Sequence, residues 1–168
     1  MDLSMAYIFS QILVVVYYLL YSGTFQLKEK NKILFFGIFA TLLSGLSYLL
    51  LQAYTGIAMC FVAIIRNIWF SKSKSKKSLI LIYLITLLLS IFSYQNIFSI
   101  LNILATIIYT YSLWQESSKK YKMLGILVNG LMIIYDAYIK SVMGVFFMLV
   151  SFISAIIGYY KECNKKSH

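Results

Sequence analysis

The sequence predicts an all-α membrane protein with seven transmembrane helices. Three observations support this prediction: 61% of the 168 residues are hydrophobic, only 12% are charged, and most of the charges fall in short clusters between long apolar runs. A soluble domain usually has about a quarter charged residues, and one of this length could not bury so much apolar surface. The lipid bilayer is therefore the first partner that the sequence predicts.

Seven apolar runs are long enough to cross a bilayer, which takes about 20 residues in a helix. They cover residues 6–25, 33–52, 54–71, 78–94, 97–114, 122–139 and 141–160. The runs do not alternate apolar and polar residues as membrane β-strands do. Because backbone groups in lipid must hydrogen-bond within their own segment, each run is predicted to be a helix. The first run is predicted to be a retained span, since no basic region or cleavage site marks it as a signal peptide.

Basic residues alternate between the connections of the predicted helices. The first, third and fifth connections and the tail at 161–168 hold them, the second and fourth hold none, and the sixth holds only Lys140. With Arg66 at the inner end of the third run, fourteen of the fifteen Lys and Arg residues fall on one side. Basic loops stay in the cytoplasm, so the N-terminus is predicted outside and the C-terminus inside. This topology explains the net charge of +10 without a nucleic-acid partner.

Two parts of the chain match each other at a nearly constant offset. At an offset of 89 residues, "IFS" at 8–10 matches "IFS" at 97–99, and Gln26 matches Gln115. At an offset of 88 residues, Gly37 matches Gly125, and Gly56 matches Gly144. These matches carry the most weight. Residues 6–71 and 97–160 are therefore predicted to be two three-helix repeats. The run at 78–94 has no partner and is predicted to be a linker helix that makes the repeats parallel. Such repeats occur in secondary transporters, whose solute sites lie at the repeat interface.

The stretches "SYLLLQAYTGIAMCFVAIIRNIWF" and "LMIIYDAYIKSVMGVFFMLVSFISAIIGYYK", with "FQLKEKNKIL", resemble the YgjV family of small bacterial inner-membrane proteins. The resemblance covers nearly the whole chain and implies the bacterial inner membrane as its location. The layout is also similar to SWEET, PQ-loop and PnuC-like transporters, which implies a sugar, an amino acid or a vitamin as the solute. Gln26 and Gln115 look like the glutamine of the PQ-loop. The chain has no proline, so the hinge prolines of SWEET-type gating have no counterpart.

Four polar side chains within the predicted spans are candidate substrate contacts: Asn67, Asn102, Asn129 and Asp136. Asp136 is the only acidic residue inside a span, and intramembrane acids are costly and often functional. As a functional residue it would couple a proton or cation, or contact the solute at the outer gate. The alternative is an interfacial pair with Lys140 four residues later.

The amides and Arg66 also have structural interpretations. Asn102 and Asn129 are expected either to bind solute or to bond neighbouring helices, a contact that contributes about 0.6 kcal/mol in a membrane. Arg66 is expected to snorkel to the cytoplasmic interface, while Asn67 could face a pore. Aromatic residues such as Tyr48, Tyr135 or Trp114 could stack on a ring-shaped solute, and the sequence does not choose among them.

No catalytic or metal-binding pattern is present in the sequence. Its one histidine is the last residue, and Cys60 and Cys163 belong to no CxxC or Cys/His pattern. A phosphate-binding Gly-rich loop and a Ser/His/Asp set are also absent. We therefore expect neither an enzyme nor a cofactor or metal. The sequence favours a small-solute transporter or facilitator, with a non-transporting structural or scaffold membrane protein as the alternative.

Overall fold

The computed structural model describes the backbone of residues 3–24, 30–73, 75–115 and 117–164. Side chains are described for residues 4–20 and for the described residues from 35 onward, except 118, 161 and 162. In these ranges the chain forms seven helices: α1 (Leu3–Thr24), α2 (Lys30–Leu50), α3 (Tyr54–Lys72), α4 (Lys76–Ser93), α5 (Ser99–Trp114), α6 (Ser118–Tyr138) and α7 (Val142–Asn164). Gln26, part of the predicted repeat, lies outside the described residues, as does the end of the predicted tail at 165–168.

Each helix coincides with one predicted apolar run, and the ends differ by a few residues. α4 and α6 begin earlier than predicted because a serine caps each of them. The Ser75 hydroxyl accepts from the Ser78 N–H at 3.2 Å, and the Ser117 hydroxyl accepts from the Lys120 N–H at 3.4 Å. α7 continues to Asn164, so the first four residues of the predicted tail are helical.

Among the described residues, three helices are by length and composition alone apolar enough to cross a membrane: Tyr54–Lys72, Lys76–Ser93 and Val142–Tyr160. Shorter apolar stretches lie in α1, α2 and α5, at Ser4–Leu20, Phe35–Leu50 and Ser99–Trp114. α6 is in neither group, and its first turns carry Lys119, Lys120 and Lys122. The number of seven spans therefore stays a prediction.

Six of the helices close into a ring, and α4 lies outside it. Along the ring α1 packs on α2, α2 on α3, α3 on α5, α5 on α6, α6 on α7 and α7 on α1. Among the described residues α4 packs only on α3 and α5. Its outer face is apolar, with Phe92 80% exposed, which suits contact with lipid.

The packing pairs of the ring fall into matched sets. α1 packs on α2 as α5 packs on α6, and α2 packs on α3 as α6 packs on α7. The contact of α3 with α5 then corresponds to the contact of α7 with α1. Exchanging α1, α2 and α3 for α5, α6 and α7 therefore leaves the set of helix–helix contacts in the ring unchanged.

Two turns of the ring share one hydrogen-bond pattern. After α2 the Ala53 N–H donates to the Tyr48 carbonyl at 2.9 Å, and after α6 the Ser141 N–H donates to the Asp136 carbonyl at 2.9 Å. Such a bond across six residues is the mark of a Schellman turn. In both turns the residue just before the donor is left-handed, with φ of 55° and 59°. The two turns therefore have the same local geometry.

Small polar residues form the helix contacts of the ring. The Ser47 hydroxyl on α2 donates to the Ser10 carbonyl on α1 at 3.0 Å, and the Thr55 Oγ1 on α3 lies 2.9 Å from the Ser99 Oγ on α5. Small hydroxyl residues allow close approach and interhelical hydrogen bonds in a membrane. The apolar core cluster lies at the contact of α3 with α4 and contains Met59, Val62, Phe70 and Ile82.

Candidate functional site

Asp136 lies in the last turn of α6 and is only 2% exposed. Its Oδ1 accepts a hydrogen bond from the Tyr48 hydroxyl on α2 at 3.3 Å. A Cβ added to Gly144 on α7 would lie 2.8 Å from the Asp136 Oδ2. Glycine at this position therefore lets α7 pass close to the carboxyl group, and Asp136 is enclosed by α2, α6 and α7.

Asp136 does not pair with Lys140, so the interfacial ion pair weighed in the sequence analysis is wrong. α6 ends at Tyr138, and Lys140 has a φ of 59°, so the two residues do not lie four apart on one helix. The Lys140 side chain is exposed, and no ion pair joins it to Asp136 in the described part of the chain. The carboxyl group is instead buried beside a neutral hydroxyl donor.

Tyr48 and Asp136 are matched by the offset of 88 residues that also matches Gly56 with Gly144. Each pair has the same arrangement within its own part of the ring. A Cβ added to Gly56 would lie 2.7 Å from the Tyr48 Cγ, as one added to Gly144 would crowd Asp136. The structure therefore brings two matched positions, one from α2 and one from α6, into direct contact.

Asn102 on α5 joins this contact through Tyr135. Asn102 is 3% exposed, and its Nδ2 has no hydrogen-bond partner among the described residues. The Tyr135 hydroxyl lies beside the Asn102 side chain, and the Tyr135 ring packs 6.1 Å from the Tyr48 ring. We call Tyr48, Asn102, Tyr135 and Asp136 the axial cluster. A buried amide without a good partner is costly, so its presence here calls for an explanation.

Asn67 lies apart from the axial cluster, with Arg66. Arg66 is 3% exposed, so the prediction that it snorkels to the interface is wrong. Its Nη1 donates to the Thr110 Oγ1 on α5 at 3.4 Å, and its guanidinium carbon lies 4.9 Å from the centre of the Tyr109 ring. Its Nε and Nη2 donate to the Asn67 Oδ1 at 3.3 and 3.4 Å. Arg66 is retained between the helices because α5 offers oxygen and aromatic partners there.

Asn129 is half-buried on α6 and forms no hydrogen bond within the described ranges. It precedes Asp136 by seven residues, which places it on the same face of α6 and about 10 Å closer to the start of that helix. Its match at the offset of 88, Thr41, donates to the Gly37 carbonyl of its own helix at 2.8 Å. The structure thus aligns Asn129 with the axial cluster but does not connect it to the cluster.

Two small cavities lie near this region. One of about 270 Å³ is at the turn between α6 and α7 and is lined by Asp136, Ala137, Lys140, Ser141, Val142 and Val145. Another of about 200 Å³ lies between α1 and α7 and is lined by Tyr7, Ile8, Gln11, Ile12, Val15 and Met143. Neither is lined by Asn102 or Asn129. The first one reaches the buried carboxyl group from the turn.

The chemistry available in the ring is hydrogen bonding and charge pairing. Among the side chains that the structure describes, the buried polar groups are amides, hydroxyls, one carboxyl group and one guanidinium. Within the described ranges no group of three or more His, Cys, Asp or Glu residues could hold a metal ion. Cys60 lies 3.8 Å from the Ser44 hydroxyl at the contact of α2 with α3, where it acts as a small packing residue.

Sequence reasoning missed two features of this site. It named Tyr48 only as one of several aromatic residues, although the offset of 88 that matches the glycines also matches Tyr48 with Asp136. It assigned Arg66 to the interface, because no sequence pattern distinguishes an interior arginine from a snorkelling one so near a helix end. The first feature could have been found from the alignment, and the second needed the packing of α3 against α5.

Comparison with known proteins agrees with the membrane assignment. No match was found among curated proteins or among solved structures. The sequence model of the Imp-YgjV family, described as bacterial inner membrane protein, matches residues 8–166. This range contains the axial cluster and Arg66, and it confirms the resemblance drawn from the sequence. The chain therefore belongs to the Imp-YgjV family of bacterial inner membrane proteins.

Proposed function

We propose that this inner membrane protein is a small-solute transporter or facilitator, with a solute similar to a sugar, an amino acid or a vitamin. In this proposal the chain crosses the membrane seven times. α1–α3 and α5–α7 are parallel copies of one repeat, and α4 links them. The matched packing pairs and the two matching turns support the repeat. The solute would pass between the two copies, as in other transporters with parallel repeats.

The proposed orientation has the N-terminus outside and the C-terminus in the cytoplasm. The basic residues of the first, third and fifth connections support it through the positive-inside rule. In this orientation the turns after α2 and α6 face the outside. The axial cluster then lies toward the outer end of the ring, and Arg66 lies toward the inner end.

The observation that carries the proposal is the hydrogen bond between Tyr48 and Asp136 across the ring. Matched positions of two parallel copies can touch only near the axis that relates the copies. The bond would therefore close the centre of the ring on the outside. Acidic residues inside membranes are costly and usually face a pathway or a bundle interior. We propose that this bond closes the pathway and that the pathway opens when the two copies move apart.

On the cytoplasmic side of this closure, the remaining polar groups mark the expected route of the solute. Asn102 has an amide nitrogen that no described residue satisfies, and Asn129 lies deeper on the same face of α6 as Asp136. Amides suit the hydroxyl, amine and carbonyl groups of small metabolites because they can both donate and accept hydrogen bonds. We therefore propose Asn102 and Asn129 as solute contacts. The proposal assigns no chemical reaction to the chain.

Water access to Asn102 tests the proposal without knowledge of the solute. In a variant with Cys60→Ala and Cys163→Ala, we expect Asn102→Cys to react with a membrane-impermeant thiol reagent from one side of the membrane. Leu104→Cys is the matched control, because Leu104 lies at the same depth on α5 but is 42% exposed on the outside of the ring. If Asn102→Cys reacts no more than Leu104→Cys from either side, no aqueous pathway reaches the amide.

Uptake of labelled sugars, amino acids and vitamins by proteoliposomes is the direct test. We expect accumulation of one class above that of protein-free vesicles, and its loss in Asn102→Leu. Absence of uptake for every class, together with unreactive Asn102→Cys, would contradict transport.

The alternative is a non-transporting scaffold, and one observation favours it. The two cavities described above are small, and neither is lined by Asn102 or Asn129. In a scaffold the polar residues would serve packing alone, so replacing them with apolar residues of similar size would leave every function intact. The thiol-labelling experiment separates the two proposals, because only a transporter needs water at Asn102.

A further inference from the structure

Asp136 carries the one buried carboxyl group among the described side chains. The Tyr48 hydroxyl donates to its Oδ1 at 3.3 Å, and no described residue donates to its Oδ2. Oδ2 lies against the backbone of α7, since a Cβ added to Gly144 would be 2.8 Å from it. A neutral donor therefore holds Oδ1, and Oδ2 is the oxygen left to bind a proton.

The titratable groups that face Asp136 from the neighbouring helices are hydroxyls and a thiol. They are Tyr17 and Tyr18 on α1, Tyr48 on α2, Cys60 on α3 and Tyr135 on α6. α5 contributes the neutral amide of Asn102, and α7 has no titratable residue between Val142 and Gly158. None of these groups supplies a positive charge to the carboxyl group.

The cations of this region are Lys140 and Arg66, and neither forms an ion pair with Asp136 in the described part of the chain. Lys140 is exposed at the turn between α6 and α7. Arg66 on α3 is an electrostatic neighbour of Cys60, and its guanidinium donates to Asn67 and Thr110. An ionised Asp136 would therefore be buried in the ring beside a neutral hydroxyl donor alone.

The cavity at the turn between α6 and α7 connects Asp136 with the surface. It measures about 270 Å³, and Asp136 lines it together with the exposed residues Lys140 and Val142. One water molecule takes up about 30 Å³ in the liquid, so the cavity has room for several. In the proposed orientation the turn faces the outside. Water in the cavity could therefore bring a proton from the outside to the carboxyl group while the bond to Tyr48 stays in place.

Closure of the ring and binding of a proton favour each other at this position. An ionised carboxyl group that is buried without a cation is costly, and a neutral one costs far less. When the two copies move apart, water reaches Asp136 and stabilises the ionised form. Closing the outer end removes that water, so it favours the protonated form. The neutral carboxyl group still accepts the Tyr48 hydroxyl at Oδ1 and carries the proton at Oδ2.

We propose that Asp136 is the proton-binding site of the ring and that each solute enters the cell together with one proton. A hydronium ion in the outer cavity gives its proton to the carboxylate and leaves a water molecule. The neutral carboxyl group lets the two copies close around the solute. When they open to the cytoplasm, the proton passes to water that enters from that side. This inference rests on the proposed transport function and names its coupling ion.

Infrared spectroscopy tests the proton site without knowledge of the solute. A protonated carboxyl group has a C=O stretching band that the ionised group lacks. The sequence contains only two aspartates, Asp2 and Asp136. In an Asp2→Asn chain, aspartate with a heavier carbon isotope in its carboxyl group therefore labels Asp136 alone, and no residue of the ring is changed.

The labelled chain is measured in phosphatidylcholine nanodiscs at neutral pH. We expect a protonated carboxyl band that shifts with the isotope. The same chain unfolded in a denaturing detergent is the control, and its aspartate should be ionised, since an exposed aspartate is protonated only below about pH 4. Absence of the labelled band in the folded chain overturns the proton site. A band of equal size in the unfolded chain also overturns it, because the ring would then make no difference.

Coupling to transport is measured by uptake of the labelled solutes into proteoliposomes, with the outside more acidic than the lumen and with no pH difference. We expect the proton gradient to increase uptake and a protonophore to abolish the gain. The gain should be lost in Asp136→Asn and kept in Glu162→Gln, the same change at an acidic residue near the C-terminus. If Asp136→Asn does not fold, the protonophore in the wild type still decides.

The two experiments separate the two proposals. A labelled carboxyl band without uptake of any solute would leave the proton site and overturn transport. Uptake that is equal with and without the proton gradient would leave transport and overturn the coupling. A gain that persists in Asp136→Asn, or that a sodium gradient alone produces, also overturns the coupling through this carboxyl group. A gain in the wild type that is lost in Asp136→Asn supports both proposals.

Discussion

Gln52 and Lys140 adopt the same left-handed backbone conformation, with φ of 55° and 59°, at the same point of two turns 88 residues apart. Glycine is the usual residue at this point of a Schellman turn. The left-handed conformation costs a residue with a side chain roughly 1–2 kcal/mol. The shared departure from glycine is more informative than the many matched leucines and isoleucines, and it supports the proposal of two copies of one unit.

Glycine at these two positions is expected to stabilise the protein. Gln52→Gly and Lys140→Gly should each raise the free energy of unfolding by about 1 kcal/mol, because glycine adopts the left-handed conformation without a Cβ clash. Unfolding in detergent, followed by intrinsic fluorescence, measures the change. Lys140→Ala keeps the Cβ and should give no gain. An equal gain in Lys140→Ala would show that the lysine side chain, and not the backbone, is responsible.

A methyl group at Gly144 is expected to destabilise the ring. The added Cβ would lie 2.6 Å from the Ser141 Oγ and 2.8 Å from the Asp136 Oδ2. Gly144→Ala should therefore lower the free energy of unfolding by about 1–3 kcal/mol, as overpacking does. Gly125→Ala is the matched control, since nothing lies within 4 Å of its Cβ. It should raise stability by up to about 1 kcal/mol because alanine favours the helix. Equal effects at both sites would refute the close approach of α7.

Loss of the Tyr48 hydroxyl is expected to destabilise the protein through Asp136. Tyr48→Phe removes the donor that the structure gives to the buried carboxyl group, which should cost about 1–3 kcal/mol. In an Asp136→Leu background the same change should have almost no effect. A double-mutant cycle on the free energy of unfolding checks this coupling. Tyr54→Phe is the control, because Tyr54 is 53% exposed. Additive effects of Tyr48→Phe and Asp136→Leu would mean that the bond contributes nothing.

Replacement of Asn102 is expected to separate function from stability. Asn102→Leu removes an amide whose Nδ2 has no partner among the described residues, so stability should be unchanged or higher by about 1 kcal/mol. Uptake by proteoliposomes should nevertheless fall. Ser47→Ala breaks a real interhelical bond to the Ser10 carbonyl and should cost about 0.6 kcal/mol. If Asn102→Leu destabilises the chain more than Ser47→Ala, the amide serves packing.

Helix positions could be predicted because long apolar runs have few alternatives in lipid. The seven predicted runs each coincide with a helix, and only the serine caps and the end of α7 moved the boundaries. The predicted offset of 88 also relates the two Schellman turns, which the sequence analysis did not foresee. Local patterns therefore carried most of the information on the order of the helices.

The partners of the polar residues could not be predicted in the same way. Spacing alone suggested a pair of Asp136 with Lys140, but the helix ends between them and Tyr48 from another helix takes the carboxyl group. Arg66 was misplaced because its partners, Thr110 and Tyr109, lie 44 and 43 residues away in the chain. Contacts between distant helices depend on the closure of the ring, and no single run of sequence contains that information.

α4 packs only on α3 and α5 among the described residues, so the closed ring does not include it. In the proposed repeat, the chain corresponds in its assembly to a covalently joined dimer, with α4 as the connector outside the ring. Two separate polypeptides, one with α1–α3 and the other with α5–α7, contain every contact that closes the ring. In that proposal, the connector fixes the ratio of the two units and the direction in which the second unit is inserted. In that proposal, one copy of each unit is always present and the two units are free to diverge, as the matched positions Arg66 and Ser154 illustrate.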